Sequence, residues 1–156
     1  MRRALGAGVA AALLAVVASE VAAAPSPGQA VFDANCALCH QAGGVGAPGM
    51  FPRLAGRAGP LARTPEGRRL MILAALYGMS GTIQADHAPV VGVMPGFGGL
   101  SDAEVAAALD YVVQLGAGEG AKRFTAAEVS AARAQTLTPG EVNALANAAS
   151  IRAAAP

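Results

Sequence analysis

The chain has 156 residues, with eleven basic and ten acidic side chains, and it is 54% apolar but only 4% aromatic, with no tryptophan. One compact domain plus appendages is what that length accommodates, and the balanced charge excludes the concentrated basic surface that nucleic-acid binding requires. Much of the apolar content is alanine, the best helix former, so the composition predicts an all-α fold short of large side chains, in which a bulky apolar cofactor would help to fill the interior.

Residues 1–23 carry Arg2 and Arg3, an apolar run from Ala4 to Ala18 and small residues at Val21, Ala22 and Ala23. This order reads as a secretory signal peptide cleaved near Ala23/Ala24. The run falls short of the ~20 residues a bilayer span needs, which weighs against a retained membrane anchor. Losing Arg2, Arg3 and Glu20 takes eleven basic residues to nine and ten acidic residues to nine, leaving a formally neutral mature chain. The rest divides into a main domain, 24–118, and a C-terminal extension, 119–156.

Ser26-Pro27-Gly28-Gln29 predicts a helix start, with serine as N-cap, proline at the first position and glutamine completing a capping box. That helix leads to Cys36. From Gln41 to Gly59 glycine and proline recur so often that a long irregular loop is expected, and loops of that length are uncommon without a function. Thr64-Pro65 opens a second helix with Leu70, Leu73, Ala74 and Tyr77 as its inward stripe, ended by Gly78. A second loop is expected from Ser80 to Leu100. Ser101 to Glu104 forms another capping box, before a helix whose apolar face is Val105, Leu109, Val112 and Val113. In the extension, Thr125 to Glu128 and Thr138 to Glu141 signal two short helices with thin apolar faces. They could pack on the main domain, lie on a partner or fray.

Cys36-Ala37-Leu38-Cys39-His40 carries the chemistry. Two thiols at this spacing reach the two vinyl groups of a haem, while the adjacent histidine coordinates its iron. A thioredoxin-like dithiol expects a preceding strand, yet a helix leads in here. A zinc site would need His87 to complete its four ligands.

With this motif the chain resembles the class I (mono-haem) cytochromes c over about Gly28 to Leu115. The resemblance implies N- and C-terminal helices crossing around one covalently bound haem c, with Gly28, Phe32 and Tyr111 at the crossing. It places Pro52-Arg53-Leu54-Ala55-Gly56 on the family's Pro-x-Leu-x-Gly loop, so that the Pro52 carbonyl accepts a hydrogen bond from His40 Nδ1 and fixes the ring. Met94, followed by Pro95, matches the family's sixth ligand. Met50 lies in the glycine-proline loop, Met71 reads as core filling and Met79 is a weaker competitor. Arg57 stands where relatives place a residue near the haem propionates. His87 reads as a loop histidine.

Histidine and methionine together hold iron six-coordinate, and methionine raises its potential. The expectation is therefore periplasmic electron transfer rather than catalysis, by a soluble carrier or the cytochrome subunit of a dehydrogenase. Its partners would be a dehydrogenase, an oxidase or another cytochrome, met at an apolar patch around Val45, Ala47 and Phe97. The rival is a haem enzyme or gas sensor whose Met94 dissociates, and a third reading makes the extension the anchor of a larger complex.

Overall fold

The computed structural model describes residues 24–85, 88–116 and 120–154; the expected signal segment and His87 lie outside them. Helix α1 (Pro27–Asn35) begins at Ser26, whose Oγ accepts the Gln29 N–H at 3.2 Å. Cys36 joins it to the short α2 (Ala37–His40), so both cysteines and the histidine sit on consecutive turns. The next stretch is mostly irregular, as expected. It contains a 3₁₀ turn at Ala42–Gly44 and a bridge between Ala47 and Phe51, and it ends in α3 (Ala58–Ala62).

Helix α4 (Pro65–Tyr77) starts where Thr64 Oγ1 accepts the Gly67 N–H at 3.0 Å. Its buried face is Ile72, Leu73 and Leu76, while Leu70, Ala74 and Tyr77 lie half-buried against the same core. The inward stripe is thus rotated from the expected one, because α4 is covered from two sides and must hide a wider arc.

The stretch from Ser80 to Leu100, expected as a loop, is largely a β-hairpin. Strands β1 (Met79–Ala85) and β2 (Ala88–Met94) pair antiparallel, with Met79 opposite Met94, Thr82 opposite Val91 and Ile83 opposite Val90. β-branched residues dominate those pairs and suit a pleated surface. Gly81 and Gly92, which suggested a loop, face each other across the ladder. The fold is therefore mostly helical, as expected, and carries one small two-stranded sheet in addition.

Helix α5 (Asp102–Gln114) opens with a complete Ser101/Glu104 capping box and buries Val105, Leu109, Val112 and Val113. It crosses α1 so closely that a Cβ on Gly28 would collide with the Ala107 carbonyl, and the Phe32 and Tyr111 rings meet there at 5.3 Å. Glycine at the crossing is thus a steric requirement. The extension forms α6 (Ala126–Arg133) and α7 (Pro139–Ala154), each begun by a threonine capping box. Val129 and Val142 are fully buried in the common core, so the extension packs on the main domain. Arg68 of α4 anchors it: the guanidinium holds the Glu128 carboxylate at 2.9 Å, donates to the carbonyls of Lys122 and Arg123, and lies 4.0 Å over the Phe124 ring. No helix among the described residues is long and apolar enough to cross a membrane.

Candidate haem-binding site

His40 is 8% exposed, and its Nδ1 lies 2.8 Å from the Pro52 carbonyl oxygen. A carbonyl can only accept, so the ring proton must sit on Nδ1 and the Nε2 lone pair is left for a metal. Burial pushes the imidazole pKa below its ordinary value, and the Pro52 bond opposes this in part. Burial therefore favours the neutral ring, the form that coordinates iron. Pro52 is itself held by a close backbone approach. Gly46, at φ 70°, packs so near that a Cβ would come within 2.6 Å of Phe51 O and 2.8 Å of the Pro52 carbonyl carbon. The Gly46 N–H in turn donates to His40 O at 2.8 Å, closing a ring of contacts around the imidazole.

Both cysteines are half-buried free thiols. Burial, and then the neighbouring Cys39, push the Cys36 thiol up to about 11. A redox-active CxxC lowers the pKa of its attacking thiol instead, which weighs against the dithiol alternative. Among the described residues no group of three or more His, Cys, Asp or Glu could hold a metal ion, and His87, which the zinc alternative needs, lies outside them.

Met94 ends β2, half-buried, and the following segment is tied to the end of α4. The Phe97 N–H donates to Ala75 O at 2.8 Å. Gly78 has φ 75°, and a Cβ there would collide with Met94 O and reach the Gly96 nitrogen at 2.7 Å. Gly96 presses back, since a Cβ on it would lie 2.6 Å from Leu76 O. Of the other methionines, Met71 packs against the core, Met50 is 64% exposed, and Met79 is Met94's partner across the hairpin. Arg57, half-buried at the start of α3, reaches the Gln84 carbonyl of β1 at 3.4 Å and the Arg53 carbonyl at 3.5 Å. Gly46 and Gly78 escaped the sequence reading as parts of the site, because only folding brings them against Pro52 and Met94.

Two unbonded thiols, an imidazole with one nitrogen committed to a carbonyl, and a thioether on a pinned segment form a donor set that fits covalent haem. The family model for cytochrome c matches residues 25–116. A cytochrome c-552 of Thermus thermophilus is 40% identical over 126 residues, which cover 78% of this chain and 84% of the relative. A second Thermus thermophilus cytochrome c-552 is 42% identical over 113 residues, covering 70% and 86%. Cytochrome c-555 of Chlorobaculum tepidum is 32% identical over 116 residues, covering 72% and 96%.

Proposed function

The chain belongs to the class I cytochrome c family, which carries one covalently bound haem c and transfers electrons, and on that premise we propose that it is an exported one-electron carrier whose iron is held by His40 Nε2 and Met94 Sδ. The hydrogen bond from His40 Nδ1 to Pro52 carries this reading, because it fixes the tautomer and orientation that an axial histidine needs. Cys36 and Cys39 supply the two thioether links. Haem supplies the reversible one-electron couple, and the residues around it limit how much the site rearranges as that electron comes and goes.

Met94 favours a carrier over an enzyme or gas sensor. Its segment is bonded to α4 through Phe97 and packs tightly on residues 76–78 at Gly78 and Gly96, an arrangement that resists opening the distal side. Arg57 would balance charge on the propionates while staying tied to Gln84. Exposed Val45, with Ala47 and the half-buried Phe97, would give apolar surface for brief docking by a dehydrogenase, an oxidase or another cytochrome. The same site serves a freely diffusing carrier and a dehydrogenase subunit. In this proposal residues 1–23 direct export and are removed, 24–118 form the cytochrome domain and 119–156 form the extension.

The test is spectroscopic. A pyridine haemochrome spectrum should show two thioether links per chain, and Met94→Ala should abolish the methionine-to-iron charge-transfer band that Met79→Ala leaves in place. Rapid, tight carbon monoxide binding by the reduced wild-type protein would instead support the sensor reading.

A further inference from the structure

The extension does more than cover the core, because it also bonds to both ends of the stretch that contains Met94. Arg133, the last residue of α6, spreads one guanidinium over three acceptors on the far side of that stretch. Nη1 donates to Gly98 O at 2.6 Å, Nη2 to Leu100 O at 2.8 Å and Nε to Asp102 Oδ1 at 2.8 Å. The carbonyls of Gly98 and Leu100 are thereby fixed immediately after Met94-Pro95-Gly96-Phe97. Tyr77, at the end of α4, sets its hydroxyl against the carbonyls of Ala132, Arg133 and Gln135, which seats the C-terminus of α6 beside the turn that Gly78 begins.

On the near side, Asn143 and Asn147 lie one turn apart on α7. Their Nδ2 groups both donate to Thr82 O, at 3.2 and 2.9 Å, which ties α7 to β1. Asn143 Oδ1 is buried there without a hydrogen-bond partner. A leucine of similar size would avoid that cost, but it would leave the Thr82 carbonyl without this donor.

We infer that Arg133, supported by Asn143 and Asn147, is a positioning residue for the sixth iron ligand: the extension clamps the Met94 segment and slows its departure from the metal. The inference rests on Met94 being that ligand. A charged donor fork across three acceptors is rigid and costly to break, because hydrogen bonds to charged groups are among the strong ones. The Arg133 guanidinium bonds to residues 98–102 rather than to Met94 and acts through that segment.

The experiment uses the full-length holoprotein in its ferric form and follows imidazole binding by loss of the methionine-to-iron band, under conditions where opening of the sixth position limits the rate. Arg133→Gln should raise that rate by about tenfold or more, the change expected when charge-assisted bonds to a gating segment are lost. Arg133→Lys keeps the charge beside Asp102 but cannot serve three acceptors at once, and should give a smaller acceleration. Glu128→Gln is the control, since it loosens α6 from Arg68 without touching residues 98–102, and its rate should stay within about twofold of wild type. Equal acceleration in Arg133→Gln and Glu128→Gln, or none in Arg133→Gln, overturns the inference. Should Arg133→Gln fail to fold, an unchanged rate in Arg133→Lys does the same. If Met94→Ala retains the charge-transfer band, it is the ligand assignment that fails rather than the clamp.

Discussion

Gly78 serves two ends at once. Its φ of 75° terminates α4, and its bare Cα lets the Met94 carbonyl and the Gly96 nitrogen approach. Alanine there would carry the strain of a left-handed backbone, on the order of 1–3 kcal/mol, and would also push the Met94 peptide away. Gly78→Ala should therefore weaken the methionine-to-iron band while leaving haem attachment at Cys36 and Cys39 intact, a separation that an absorption spectrum and a mass measurement on one sample would read. Cys36, Cys39 and His40 could be proposed from the sequence because their chemistry acts within five consecutive residues, and the bond between His40 and Pro52 could be expected through the loop likeness. Gly78 was read only as a helix stop. Its second role depends on which residue the hairpin brings alongside, and no local pattern announces that. Arg133 was hidden for the same reason, since its three acceptors lie in a segment that the chain reaches only by folding back.

At the scale of elements, helix starts were the most readable features, because a cap and its partner are only three residues apart. Ser101/Glu104 and Thr125/Glu128 form capping boxes, and Thr138/Glu141 shows the same reciprocal bonds. The hairpin was missed because its glycines outweighed its β-branched residues in a local reading. The pairing that rescues it joins Met79 to Met94 across the whole turn. The caps also predict an acid response. Glu104 and Glu141 are held below the usual carboxylate range by the bonds from Ser101 and Thr138. Burial alone would raise Glu128, yet the Arg68 and Thr125 bonds outweigh it and its pKa is lowered as well. A carboxylate depressed in the folded state contributes stability that is present above its unfolded value and lost as pH falls through the folded one. The part of the stability these three carboxylates supply should thus stay level from neutrality down to the ordinary glutamate value of about 4.3 and decline below it. Because Glu128 joins a cap to an inter-helix ion pair, amide exchange in α6 should accelerate first, and Glu128→Gln should remove part of that acid dependence. An acid response identical in wild type and variant would show that Glu128 does not couple to folding.

Over the whole molecule, the matched family region ends at residue 116, and the proposed haem-attachment residues all lie within it. The crossing of α1 and α5 is likewise contained there, at Gly28, Phe32, Ala107 and Tyr111. A chain ending before Gly120 should therefore still acquire haem at Cys36 and Cys39. It should nevertheless be a weaker protein. Phe124, Val129 and Val142 are each at most 5% exposed in the common core, and burying such side chains is worth roughly 1.5–3 kcal/mol apiece. Ordering the extension's backbone costs free energy in the opposite direction, so the net loss on truncation should be a few kcal/mol. In urea both the midpoint and the slope of unfolding should fall, since a shorter chain exposes less surface. The faces of α4 and α5 now covered by α6 and α7 would meet water, the segment after Met94 would lose Arg133, and β1 would lose Asn143 and Asn147. Haem attachment and one-electron reduction should accordingly survive truncation, while ligand entry at the sixth position accelerates. If the truncated protein instead matches the full chain in both urea midpoint and ligand entry, the packing of the extension contributes nothing measurable to either the fold or the metal site.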